Sequence, residues 1–405
     1  MKINNIKYLI FLPLVLTWIL SSCYDNAGIS PDQSTSFLKF YGNSFNDNGF
    51  DVGQTPDGGY LVVGSGTSVQ NGTGFDKDIV AIKTDEFGNI IEGPRYMGGA
   101  GDDEGYTFQA LKEGGFVIAG YTTDNPDNNR KKRDILVVKT DDNLNPIWQK
   151  RIGGNQNEEA YQIIENSLGN YVLVGYTSSY GNGGKDIFLV SIDSNGDSLW
   201  SKTHGGFSDD IGRNVIETAT GYLLIGGTES FPIEGNGMNV FIIATNFLGK
   251  ATQLVTYEKE GIAEGMDIEN LPDGGYIFLA NMQKEGSLEK PGIVIARLGE
   301  QVNEKIWEKE YTEKEGFSAS DLEVTDKGFA VMGTVFGISN TNAFLMITDQ
   351  DGRIITKREL GNEEDAQSGE GIEQTSDNNF IFTGTNGSGG SSLIMLGKIK
   401  EDGTL

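Results

Sequence analysis

One motif recurs seven times along the 405 residues, and its period restricts the fold more than any other property of the chain. An aromatic residue, three mostly apolar residues and a small one appear as Tyr60 to Gly64, Phe116 to Gly120, Tyr171 to Gly175, Tyr222 to Gly226, Tyr276 to Ala280, Phe329 to Gly333 and Phe380 to Gly384. Successive copies start 51 to 56 residues apart. Turn residues precede each copy, as in TPDGGY, LKEGGF and LPDGGY, where Asp, Gly and Asn supply the positive φ angles of a tight hairpin.

A short strand lies upstream of each turn and opens on a small residue: Gly49, Gly105, Ala160, Gly212, Gly265, Ala319 or Gly369. Downstream come a third strand, such as DILVVKTD, a second turn, such as DSNGD, and a fourth strand carrying Trp148, Trp200 or Trp307 in three units. Four short strands in about 50 residues suit a propeller blade and are too long for one coil of a β-helix. The expected fold is therefore all-β, a seven-bladed β-propeller spanning 36 to 405. Its innermost strands need small residues, on this reading, because they crowd around the axis.

The last unit, in 366 to 405, lacks a fourth strand, and SFLKFYGN at 36 to 43 is a fourth strand without a unit. Phe37-Leu38-Lys39 has the aromatic-x-Lys spacing of Trp148, Trp200 and Trp307 with their lysines. The N-terminal strand is thus expected to complete the last blade and close the ring, which also hides a strand edge. Repeated DGGY…G units with D…LVK and W-x-K segments resemble uncharacterised repeat propellers of bacterial envelope proteins, in the style of Bacteroidota lipoproteins. That resemblance implies the fold and carries no established chemistry.

Residues 1 to 22 place Lys2 and Lys7 ahead of an apolar run from Tyr8 to Leu20, the layout of a secretory signal. Leu20-Ser21-Ser22-Cys23 resembles a lipobox, so Cys23 is the expected site of palmitate-type lipidation and residues 23 to 35 a tether. Cys23 is the single cysteine, which leaves no internal disulfide and no spare thiol for catalysis or metal. Tyr24, rather than Asp, favours an outer-membrane destination. The net charge of −27 argues against nucleic acid as a partner, since phosphate binding needs a basic face. Attachment to the membrane is expected through the lipid anchor alone.

Little in the chain points to catalysis. His204 is the single histidine, in the segment between the third and fourth units, and is read as structural. No Cys and His cluster fits zinc, and acidic turns such as Asp193 to Asp197 lack the bidentate Glu of a calcium loop, so no cofactor or metal is expected. Acids recur in phase at the start of the inner strands, at Asp47, Asp103, Glu158 and Asp210, and again within them at Asp51, Asp267 and Asp321. If that register faces the axis, these residues form an acidic funnel. The second-to-third-strand loops vary in length and carry Phe75, Tyr180, Phe231 and the run Arg130-Lys131-Lys132-Arg133. Variable loops on one face are the usual place for recognition. The leading reading is a non-enzymatic scaffold that binds an envelope protein through that face. The alternative is a glycan-binding protein or glycoside hydrolase using the funnel, which requires two carboxyls about 5 to 9.5 Å apart.

Overall fold

The computed structural model describes residues 36–42, 45–67, 76–124, 132–231, 237–257, 261–283, 290–337, 340–361 and 364–404. Cys23 and the rest of residues 1–35, as well as Phe75, Arg130 and Lys131, lie outside them. Among the described residues 28 strands, β1 to β28 in chain order, pair into seven sheets of four. Six sheets each use four consecutive strands, from β2 (Asn48–Gln54) to β5 (Ile90–Met97) in the first blade onward. The seventh has the order β1-β28-β27-β26, so β1 (Phe37–Tyr41) is its outermost strand. This is the seven-bladed propeller that the repeat predicts, closed as the orphan strand predicts.

The sequence pattern explains each layer of a blade. Both faces of the two middle strands are covered by neighbouring blades, so they read as continuous apolar runs rather than alternating ones; every residue of β11 (Tyr171–Thr177) and β12 (Asp186–Ile192) is buried. Outer strands mix exposed and half-buried residues, as in β13 (Ser198–His204), because one side meets water. Seven buried apolar clusters each combine side chains from two adjacent blades. One of them joins Ile381, Ile394 and Leu396 of the last blade to Val52, Tyr60 and Val62 of the first. The ring is therefore sealed by the same kind of core that joins the other blades.

The small residue of each inner strand has a different cause from the one expected. A Cβ at Gly105 would stand 2.9 Å from Ile79 and 3.0 Å from Val63, side chains of the middle strands of the preceding blade. Crowding thus comes from the face of the neighbouring sheet and not from the axis. One residue later the ladder slips in every inner strand, so that Phe50, Tyr106, Tyr161, Arg213, Met266, Ser320 and Glu370 form bulges. The variable loops leave from the bulge end of the inner strands, here the loop face, and the short turns from the other, the hairpin face.

Candidate functional site

A cavity of about 320 Å³ lies among the inner strands of all seven blades. Asp51 of β2, Gln162 of β10 (Glu158–Glu165), Asn214 of β14 (Asp210–Thr218), Asp267 of β18 (Ile262–Asn270) and Asp321 of β22 (Phe317–Thr325) line it as a first tier. Each follows a bulge, which re-aims the strand. Glu269, Glu323 and Glu373, two residues further along their strands, form a second tier on the last three blades. The second tier escapes a reading of the repeat, because the equivalent positions elsewhere are Gly53, Gln109, Ile164 and Ile216. No lysine, arginine or histidine lines the cavity among the described residues.

These acids also fasten neighbouring blades together. Asp51 Oδ2 accepts the Phe108 N–H at 2.9 Å, Asp267 Oδ2 the Leu322 N–H at 3.0 Å, and Asp321 Oδ2 the Ile372 N–H at 2.8 Å, each from the following blade. Their Oδ1 atoms accept the N–H of Val52, Ile268 and Leu322. Asn214 donates to Asp267 at 2.5 Å, and Thr107 to Gln162 at 2.5 Å. In the second tier Glu373 accepts the Gln54 N–H at 3.2 Å, which carries the pattern across the junction between the last and first blades.

Burial, the largest cause in every case, raises the carboxyl pKa values throughout the cavity. It holds Asp51 at about 6, with the nearby Asp267 charge adding to it, and Asp267 itself at about 6. Asp321 and Glu269 rise well above the ordinary range, the Asp267 charge reinforcing burial. Glu373 is pushed up to about 7 and Glu323 to about 8. Near neutral pH the cavity therefore holds a mixture of protonated and ionised carboxyls, able both to donate and to accept hydrogen bonds from hydroxyl groups.

The acids that precede the bulges sit elsewhere. Asp47, Asp103, Glu158 and Asp210 are almost fully buried and do not line the cavity. Asp103 accepts the Gly99 N–H at 2.7 Å, Glu158 that of Gly154 at 2.7 Å, and Asp210 that of Gly206 at 2.8 Å. Glu158 also takes the hydroxyl of Thr177, and Asp210 that of Ser230. These side chains staple the linkers between blades, so the funnel expected from seven acids is built by Asp51, Asp267 and Asp321 with the second-tier glutamates.

At the loop end the bulge side chains stack into an arch. Phe50 meets Tyr106 edge-on at 5.3 Å, Tyr106 stacks on Tyr161 at 5.6 Å, and the Arg213 guanidinium lies 4.3 Å over Tyr161 while bonding Glu264 at 2.6 Å. None of them lines the cavity, whose lining reaches Gln54 and Ala110 beside the first hairpins. The acidic cavity consequently faces the hairpin side, away from the variable loops.

On the loop face Lys132 is buried within 3.5 Å of Asp134, and Arg133 pairs with Glu159 at 2.5 Å while lying 4.2 Å over Tyr121. Both cations are tied down within the ring. Tyr180 is half exposed and its hydroxyl donates to the Gly153 carbonyl at 3.2 Å; Phe231, also half exposed, rests 5.4 Å from Phe241. Between their loops runs the linker that carries Phe207, 88 % exposed, the most exposed large apolar side chain among the described residues. Its position in a linker, outside the repeat pattern, gave no signal in sequence beyond an aromatic in GGFSDD.

His204 has a structural task. Its Nε2 lies 3.0 Å from the Gly249 carbonyl of the next blade, as the hydroxyls of Tyr41 and Tyr311 lie 2.6 Å from Gly88 and 2.5 Å from Gly352. Asp193 accepts the N–H groups of Asn195 and Asp197, and Asp349 those of Asp351 and Arg353. The carboxylates of these turns thus close their own hairpins.

No family model and no curated protein matches the chain. Among solved structures it is similar to an ulvan lyase of a polysaccharide lyase family, with a TM-score of 0.54, 11 % identity, and coverage of 90 % of this chain and 96 % of that one. It is also similar to the β-propeller domain of the Trilobed protease from Pyrococcus furiosus, with a TM-score of 0.50, 9 % identity and the same coverage. A protein of unknown function from Dyadobacter fermentans gives a TM-score of 0.47 at 14 % identity, covering 89 % and 98 %. At such identities the likeness is one of fold.

Proposed function

We propose that this chain is a lipid-anchored, non-enzymatic binding module of the bacterial outer membrane that recognises another envelope protein through its loop face. The observation that carries the reading is Phe207, exposed between Tyr180 and Phe231 on a rigid ring. Burying such a side chain against a partner contributes roughly 2 kcal/mol, and clustered aromatics are where interface energy concentrates. Lys132 and Arg133 are paired within the ring, so the reading rests on these aromatics and not on those two cations. The anchor at Cys23 is supported by the lipobox in the sequence.

The test is crosslinked affinity purification of the full-length protein beside a variant with Phe207→Ser and Tyr180→Ser, with a melting curve to show that the ring is intact. Loss of a stoichiometric envelope protein in the variant is expected. Recovery of the same partner at the same yield would remove the loop face from consideration.

A second reading, glycan binding or hydrolysis, is favoured by the paired tiers of carboxyls and by Glu323, which is held at about 8 and can carry a proton at neutral pH. Calorimetric titration with oligosaccharides tests it. Equal heats for the parent and for Glu323→Gln with Asp267→Asn would end that reading.

A further inference from the structure

The outer strands repeat a feature that neither the loop face nor the cavity uses. In six blades the ladder between the third and fourth strands skips one residue just after the second hairpin: Ile91, Ile147, Leu199, Thr252, Ile306 and Ile355. The bulge turns that side chain outward, and five of the six are large aliphatics between 49 % and 61 % exposed. A bulge on an edge strand is a common defence against edge pairing and needs no apolar residue. Single exposed aliphatics are ordinary, but the same exposed choice at one position of five blades makes a rim of them around the hairpin face.

The path of the chain supplies a second, independent observation. Phe37 pairs with Lys398, and β28 (Ser391–Ile399) ends one residue later in the hairpin turn where Lys400 N–H bonds the Thr404 carbonyl. The described ring thus begins at Ser36 on the hairpin face, and the 35 preceding residues, with Cys23 among them, join it there. From Cys23 to Ser36 the chain spans at most about 45 Å when fully extended.

We propose that the hairpin face of the ring rests against a lipid surface, seated by the aliphatic rim, so that the loop face points away from the membrane. The proposal rests on the reading of Cys23 as the anchor. Turns on this face carry Asp85, Glu86, Asp141 and Asp142, so the rim suits a zwitterionic interface and is repelled by an anionic one. The same orientation turns the mouth of the acidic cavity toward the membrane and leaves Phe207 on the outward side.

Hydroxyl-radical footprinting read by mass spectrometry tests this. The chain from Cys23 onward, which retains every described residue, is coupled through that single thiol to a maleimide phospholipid in vesicles of saturated phosphatidylcholine and compared with the uncoupled chain. Oxidation at Ile147, Leu199, Ile306 and Ile355 should fall about fivefold as water leaves their apolar surface, with Phe207 unchanged. Unchanged rim oxidation, or protection of Phe207 instead, would overturn the proposal. Adding phosphatidylglycerol should weaken rim protection; stronger protection would show electrostatic contact and likewise overturn it. Coupling bypasses natural acylation, and the intact mass of protein extracted from its native envelope reads that separately, so a failed anchor and a failed orientation give different results.

Discussion

The indole of Trp307 lies against Gly352 of the next blade, where a Cβ would stand 3.0 Å from the ring and φ is +73°. Phe37 on Gly88, Trp148 on Gly196 and Trp200 on Gly249 repeat the arrangement. Glu92 and Gln253 occupy the aromatic's place in the first and fourth blades, opposite Lys83 and Ala244, and the turns that follow carry Leu144 and Val302 instead of glycine. Aromatic and glycine therefore go together: the flat ring needs a turn without a side chain, and in two of the three blades that lack the ring a turn residue with a buried side chain takes the glycine's place. Thr356 keeps Gly403 opposite it, at 3.1 Å from the Cβ position.

Leu144 shows which effect wins at such a turn. Its φ of +60° costs about 1 kcal/mol in a residue with a Cβ, yet its side chain is fully buried in the core between the first two blades. Removing it forfeits about 2 to 5 kcal/mol of burial and packing. Leu144→Gly is thus expected to destabilise the ring by about 1 to 4 kcal/mol although it relieves the backbone, read from the denaturant midpoint at constant slope. Gly352→Ala, which adds both strain and overlap, should cost about 1 to 3 kcal/mol. A stabilised Leu144→Gly would show that turn geometry, not packing, governs the position.

Deleting residues 36 to 42 tests closure. Five residues of β1 pair with β28, Phe37 covers Gly88, and the Tyr41 hydroxyl bonds the Gly88 carbonyl. Their loss bares the edge of β28 and part of the core between the last and first blades, at a cost of several kcal/mol. A lower melting temperature and faster exchange in β28 are expected. A melt identical to that of the parent would mean that the ring does not depend on its fourth strand.

The fold was legible because its signals are local: turn chemistry at fixed intervals, and strands whose apolar runs report burial. Asp51, Asp267 and Asp321 were legible because they share one register. Asp47, Asp103, Glu158 and Asp210 misled for the same reason, since phase along a strand does not reveal a bulge between two positions, and the bulge decides which acids face the cavity. The second-tier glutamates occupy three of seven equivalent positions, too few to stand out as a period.

Acidity should stabilise this protein over a range where acid often harms. Asp51, Asp267, Glu373 and Glu323 titrate in the folded ring near 6, 6, 7 and 8, above the carboxyl range of an unfolded chain. The folded state then binds protons that the unfolded state releases, so their contribution is fully present below about pH 4 and is lost as pH rises through 6 to 8. Asp377 acts in the opposite sense: burial opposes its ionisation, but the Lys398 hydrogen bond prevails and holds it at about 2, a contribution lost on acidification toward that value. Melting temperature should rise from pH 8 to about 5 and fall again below about 3.5. A flat profile between 5 and 8 would mean that the cavity carboxyls titrate normally.

Asp267 is where the fastening role and the cavity meet most closely. Its two oxygens receive the N–H groups of Ile268 and Leu322 and the Asn214 amide, joining the fourth, fifth and sixth blades. Asp267→Ala takes the acceptor from the Ile268 N–H and the Asn214 amide and leaves the Leu322 N–H with Asp321 alone, a loss of about 2 to 4 kcal/mol. Asp267→Asn keeps an acceptor oxygen and the shape, removes a carboxyl whose ionisation is already disfavoured, and should cost less than about 1 kcal/mol near pH 8. The two variants therefore separate geometry from charge. Equal destabilisation by both would show that the ionised carboxylate itself holds the blades together, and the loss of stability at alkaline pH would then have to come from Asp51, Glu373 and Glu323.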